Sequence, residues 1–250
     1  MSAAQTGAAV RMFCFAHAGG GSRFYRPWQG GLGRDVEVCP IVLPGRESRV
    51  GEQPRTRIDS LIDPLCEAIS AAADRPFALF GHSMGALLAY EAARRLSAER
   101  HPLLRLFVSG RRAPHLPARH DPLHRLAQAK FLTEVTRLNG TPPEVLAEPE
   151  LLKLFEPLLR ADFELNETYR PLPGPPLDCR VSAFVGHADP EADLEEIAAW
   201  RETTSGEFTL RVFHGDHFYL KGTPTGLFAA IEADLRGPGG RSLKGEQHPA

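Results

Sequence analysis

One serine in this chain stands where chemistry could be done: Ser83, inside Gly81-His82-Ser83-Met84-Gly85. The pentapeptide fits G-x-S-x-G. An apolar run from Phe77 leads into it, and an Ala- and Leu-rich helical pattern begins at Met84. So abrupt a passage from strand to helix strains the backbone of the serine and lifts its hydroxyl clear of the sheet. It also needs small residues two before and two after, so that strand and helix can approach. The amide of the next residue, Met84, then points into the same space at the positive end of the helix, where a developing oxyanion is favoured. A glycine-flanked turn with an idle serine would share the pentapeptide but not the strand before it and the helix behind.

A serine hydroxyl is a weak nucleophile and needs a base. On a strand–turn–helix scaffold of this kind the base follows the final strand and the acid follows the strand before that. The segment "VFHGDHFYLKG" offers His214 and His217. His217 lies beyond Gly215-Asp216, where the chain must turn, and is the expected base; His214, at the strand edge, is the fallback. In "AFVGHADPEADLEEI", Asp189 stands just before Pro190 and is the expected acid, able to accept the imidazole Nδ1–H and stabilise the imidazolium. Its bland alternative is a helix N-cap. Asp193 competes but falls inside the helical pattern.

The second oxyanion donor should come from the loop after the first strand, "FAHAGGGSRFYRPW", where Gly19–Gly21 lets the backbone come close to a ligand. The expected donor is the Ala18 amide, with the assignment open by one residue. A dinucleotide loop is set aside: the glycines are contiguous rather than G-x-G-x-x-G, and Pro44 and Gly45 stand where the second strand would end in an acidic residue. His187 with the "HGDH" stretch matches no zinc spacing, so no metal and no cofactor are expected.

Six short apolar runs must position these groups: 10–16, 36–43, 77–81, 104–109, 179–185 and 208–213. Several are apolar almost throughout, as strands covered on both faces should be. Helical patterns alternate with them at 58–73, 84–98, 191–204 and 223–235. The fold class is therefore α/β, a mostly parallel sheet with helices on both faces. The alternation breaks once, from about Ala113 to Pro176, where proline-rich connections and helical stretches replace strands. The expected division is a core of 1–112 and 177–236, a helical lid insertion of 113–176, and a flexible tail of 237–250. In 150–165, residues Leu151, Leu152, Leu154, Phe155, Leu158, Leu159, Phe163 and Leu165 fall nearly on one face. That suits a core-facing helix, or a cap over the strand ends.

Composition narrows the partners. The 250 residues carry a net charge of −2, with 42% hydrophobic residues, which fits one globular domain and gives no bulk attraction for nucleic acid or an acidic membrane. The first residues lack a signal-peptide pattern and no apolar run approaches a bilayer span. Cys14, Cys39, Cys66 and Cys179 are too dispersed for a metal or redox pair and suit a reducing, cytoplasmic setting. The basic stretch "GRRAPHLPARH" reads as a solvated loop, with a dock for an acidic partner as the lesser reading.

The segments "FCFAHAGGGSRFYRPW", "LPGRESR", "FGHSMGALLAYEAARRL", "FVSGRRAP", "LRADFELNETY" and "GDHFYL", in order over nearly the whole chain, resemble the type II thioesterases that accompany polyketide synthases and nonribosomal peptide synthetases. The wider group includes medium-chain fatty-acyl thioesterases. Two positions depart: Ala16 stands where the family usually has proline, and Asp216 where it usually has glycine. The second puts a carboxylate beside His217. The resemblance implies an α/β-hydrolase fold with a helical lid. It implies a serine hydrolase acting on acyl groups held as thioesters on the phosphopantetheine arm of an acyl or peptidyl carrier protein, and an editing role beside a synthase. Other readings stay open: a medium-chain fatty-acyl thioesterase, a carboxylesterase or acyltransferase on the same scaffold, and a catalytically silent binding subunit.

Overall fold

The computed structural model describes residues 7–98, 103–138, 140 and 148–236. The expected tail, the first six residues and part of the expected insertion (139 and 141–147) lie outside the described residues. Six strands form one sheet: β1 (Val10–Phe15), β2 (Val36–Pro40), β3 (Phe77–His82), β4 (Leu103–Ser109), β5 (Arg180–Gly186) and β6 (Phe208–Phe213). Their spatial order is β2-β1-β3-β4-β5-β6, and every pairing is parallel.

The side chains alternate between two cores. Phe13, Phe15, Phe77, Leu79, Leu106, Val108, Val181 and Ala183 face one layer, which holds α2 (Asp59–Ala72), α3 (Met84–Ala98) and Trp200. Met12, Cys14, Ala78, Phe80, Phe107 and Phe184 face the other, which holds α1 (Trp28–Gly31) and α7 (Thr225–Arg236). A strand covered on both faces needs apolar residues at successive positions, which is why these runs read as unbroken apolar stretches. Helix α3 is buried along most of its length, because Ala and Leu combine high helix propensity with small, close-packing side chains.

Two expected elements differ. β2 ends at Pro40 rather than at residue 43, and only Ile41 N beyond it reaches back, to Cys14 O at 2.9 Å. β2 is an edge strand, the place in a sheet where proline is tolerated. The expected helix over 191–204 is a short α6 (Leu194–Ala198) followed by a 3₁₀ turn, Ala199–Thr203. Asp193 does not lie inside it. Its carboxylate accepts from Glu196 N at 2.9 Å, and the Glu196 carboxylate accepts from Asp193 N at 3.3 Å, a reciprocal cap that fixes the start.

Between β4 and β5 lie α4 (Gln128–Arg137) and α5 (Pro149–Thr168), which pack through Phe131, Val135, Leu159 and Phe163. The apolar face of α5 is not buried along its whole length. Leu158, Leu159, Phe163 and Leu165 are buried, whereas Leu151, Leu154 and Phe155 are exposed, Leu154 by 74%. Among the described residues no helix is long and apolar enough to cross a membrane. The four cysteines are free, and burial pushes the thiols of Cys39 and Cys179 up to about 12, so neither is a thiolate near neutral pH.

Candidate active site

The turn after β3 has the geometry its glycines anticipate. Ser83 has φ +54°, a left-handed conformation that costs a non-glycine residue energy. Its neighbours leave no room for side chains. A Cβ on Gly81 would lie 2.1 Å from Gly85 O, and one on Gly85 would lie 2.1 Å from Phe15 O. β3, α3 and the end of β1 therefore meet at backbone distance. Ser83 N donates to Ser109 O at 2.8 Å, which ties the turn to the end of β4.

His217 and Asp189 come together as expected, from the loops after β6 and β5. His217 Nδ1 lies 2.9 Å from both Asp189 carboxylate oxygens, and the two side chains are 7% and 0% exposed. Asp189 Oδ1 also accepts from Glu191 N at 2.8 Å, so this carboxylate caps its own loop while facing the imidazole. The His217 ring lies 4.7 Å from the ring of His82, the residue before Ser83. With Nδ1 committed to Asp189, Nε2 is the nitrogen left for other work. Ser83 Oγ makes no hydrogen bond to His217 or to any other described residue. His214 is not brought to the site. It is exposed and its ring lies 4.8 Å from that of His187, whose Nδ1 accepts from Gly215 N at 3.0 Å. Among the described residues no group of three or more His, Cys, Asp or Glu could hold a metal. The Asp216 carboxylate accepts from Phe218 N at 2.8 Å, holding the turn on which His217 sits.

The two amides expected to receive an oxyanion are open. Met84 N is the first amide of α3 and precedes any intrahelical acceptor, and neither it nor Ala18 N donates to another described residue. The turn carrying Ala18 is closed by Gly20 N donating to His17 O at 2.9 Å.

Sequence reasoning missed the surroundings of His217. His17 and His82 are both buried, and their rings lie 6.1 Å apart, with Phe24 and Phe218 packed against both. Burial, and then the charge of His217, pulls His17 down to about 3. The same two causes hold His82 well below the usual imidazole range. Both rings are therefore neutral at pH 7, and neither opposes a positive charge formed on His217. His82 Nδ1 lies 3.0 Å from Ser109 Oγ, which is 2.7 Å from Tyr219 Oη. The quoted stretches "GHSMG", "FVSG" and "GDHFYL" contain these residues, but nothing in their spacing says that they meet.

A family model described as "Thioesterase domain" matches residues 10–235. The chain belongs to the thioesterase domain family. Thioester hydrolysis is the activity of that family, and the six-stranded parallel sheet with helices on both faces is its α/β-hydrolase fold. This thioesterase is 41% identical over 237 residues to a Brevibacillus parabrevis protein named linear gramicidin dehydrogenase LgrE, covering 92% of this chain and 89% of that one. It is 41% identical over 220 residues to the thioesterase PikA5 of Streptomyces venezuelae, covering 85% and 76%. The solved structure of RedJ, a thioesterase from the prodiginine biosynthetic pathway in Streptomyces coelicolor, matches with a TM-score of 0.84 at 38% identity, covering 92% of this chain and 87% of that one.

Proposed function

We propose that this protein is a type II thioesterase, which hydrolyses acyl groups from the phosphopantetheine arm of an acyl or peptidyl carrier protein and so unblocks a polyketide or nonribosomal peptide synthase. The observation that supports the reading is the His217–Asp189 pair, whose imidazole lies 4.7 Å from the ring of His82, the residue before the left-handed Ser83, in a chain of the thioesterase domain family. The biosynthetic-pathway setting of its structural relative RedJ supports this substrate class.

In this reading Ser83 Oγ attacks the thioester carbonyl while His217 Nε2 takes its proton. Asp189 holds the imidazole through Nδ1 and stabilises the imidazolium, and the Met84 and Ala18 amides receive the oxyanion. The tetrahedral intermediate expels the pantetheine sulfur. A thiolate leaves readily, so His217 need only assist. Water, activated by the same imidazole, then cleaves the serine ester and frees the acid. The segment 113–176 acts as the lid that shapes the acyl chamber. Leu159 of α5 packs against Gly19 of the oxyanion loop, which supports that placement. Docking of an acidic carrier on Arg111 and Arg112 gains little support: both are only half exposed, and burial, then the neighbouring Arg112, pulls Arg111 down to about 10.

The dehydrogenase name of one relative raises a nicotinamide reading, which the residues disfavour. The Gly19 amide, which a pyrophosphate would need, already donates to Asp162 Oδ2 at 2.7 Å. Glu37, the acidic residue of β2, is held by Arg11 Nε at 2.8 Å within the strand rather than standing free at its end.

The deciding experiment is hydrolysis of acyl-loaded carrier proteins with Ser83→Ala as blank. Ser83→Ala should abolish turnover, and Asp189→Asn should lower kcat by about 10⁴ while Ser83 remains in place. Parent-like turnover by either variant overturns the assignment. No turnover by the parent, with fluorophosphonate failing to label Ser83, would favour a silent binding subunit.

A further inference from the structure

The lid helix reaches the reaction site through a buried ion pair. Asp162 of α5 is buried, and its carboxylate accepts three hydrogen bonds: from Arg46 Nη1 at 2.9 Å, from Arg46 Nη2 at 2.7 Å and from Gly19 N at 2.7 Å. Arg46 Nη1 also donates to Gly20 O at 2.7 Å. The two side chains are 6% and 2% exposed. Leu159, one turn before Asp162 on the same helix, fills the space beside Gly19: a Cβ there would lie 2.5 Å from Leu159 Cδ2.

These bonds converge on a single four-residue turn, His17 to Gly20, whose Ala18 amide is, in the reading above, one of the two oxyanion donors. The peptide after Ala18 is gripped at its N–H by Asp162, and the peptide after Gly20 is gripped at its C=O by Arg46. Gly19 itself has φ +75° and no side chain, so apart from the Gly20 N to His17 O bond that closes the turn, little local restrains that peptide. A buried ion pair is weak evidence for stability, because desolvation offsets most of its attraction. A rigid oxyanion cradle, in contrast, needs donors fixed before the charge develops.

We propose that Asp162 and Arg46 are positioning residues that hold the oxyanion turn in register and join the seating of the lid to assembly of the cradle; this rests on the hydrolytic reading above. With α5 seated, Gly19 N has its acceptor and the Ala18 amide is aimed. With α5 displaced, Asp162 leaves with it: Gly19 N loses its acceptor, and Arg46, which still reaches Gly20 O, loses the carboxylate that orients it.

The test uses the full chain with Asp162→Ala, Asp162→Asn, Arg46→Ala and the double alanine variant. End-point titration with a fluorophosphonate counts sites with a competent Ser83, and kcat per titrated site and KM are measured on an acyl-N-acetylcysteamine thioester, which needs no carrier. Deleting one oxyanion donor costs about 10²–10³ in kcat, and misaiming one should cost less. Asp162→Ala and Arg46→Ala should therefore each lower kcat per site by roughly 10- to 100-fold, with KM changed by less than about threefold. Because they act through one clamp, the double variant should be no slower than the slower single. Asp162→Asn keeps an acceptor for Gly19 and should lose less than Asp162→Ala. If the variants lower Tm but keep the parent's kcat per titrated site, or if the loss is in KM alone, or if the single effects multiply, the pair is a plain strut and the proposal is overturned. If Asp162→Ala does not fold, the comparison of Asp162→Asn with parent decides by the same criterion. A parent that hydrolyses no thioester, or a Ser83→Ala blank that keeps pace with it, overturns the hydrolytic reading itself and is told apart from the first result by that control.

Discussion

Acid should loosen this protein through an imidazole that stays neutral in the fold. His17 faces the rings of Phe24, His82 and Phe218, with the Gly140 backbone and the charges of His217, Lys221 and Arg46 about it. Its folded value is about 3, against about 6.5 in an unfolded chain. The unfolded state therefore binds the proton first. Stability is complete above about pH 6.5 and is lost as pH falls toward 3. Between pH 7 and pH 5 the loss from this one residue is about 2 kcal/mol. His82, depressed in the same direction, adds to the slope. Urea unfolding at pH 7, 6 and 5, followed by fluorescence of the fully buried Trp28 and Trp200, measures the effect in the parent and in His17→Phe. Whatever the absolute stability of the variant, its advantage over the parent should grow by about 2 kcal/mol on going from pH 7 to pH 5. A parent–variant difference that does not move with pH would refute the argument, because it would mean that His17 takes up its proton equally in both states.

Gly85→Ala should lower both Tm and kcat. Its methyl would stand 2.1 Å from the Phe15 carbonyl oxygen, so β1 and α3 must part and carry the Met84 amide with them; overpacking of this kind costs about 1–3 kcal/mol, and thermal unfolding with parallel turnover checks both effects. Asp234→Ala should destabilise by about 1–3 kcal/mol, because it leaves buried hydroxyls without an acceptor while Arg211 stays partly solvated, with little change in rate per folded site. That carboxylate, on α7, accepts from Ser182 Oγ at 2.8 Å and Thr209 Oγ1 at 3.3 Å and pairs with Arg211. Urea titration measures the loss.

The sheet was legible because its strands are covered on both faces, which leaves apolar residues at nearly every position of 10–15 and 77–80. The elbow was legible because Gly81 and Gly85 mark a backbone crossing that no side chain could survive. His217 was separable from His214 by the intervening Gly-Asp turn, and the fold sets the one against Asp189 and the other against His187. Less was visible where local patterns mislead. Helix-forming residues over 191–204 masked a capping box, although Asp193 and Glu196 stand at its characteristic spacing. The apolar run in α5 gave no sign that Leu154 would face outward. The Arg46–Asp162 pair joins residues 116 apart in the chain, and the meeting of His17, His82 and His217 is equally a product of tertiary packing. Composition and periodicity carry no information about such pairings.

The order in which the site's parts leave the ribosome has a consequence of its own. The turn after β1 and the elbow after β3 are synthesised before β4, β5 and β6, whereas the imidazole follows β6, 28 residues beyond Asp189. A nascent chain thus carries the Ser83 hydroxyl without its expected base until β6 has been made. In the reading proposed above, hydrolytic competence is complete only once β6 has docked and delivered His217.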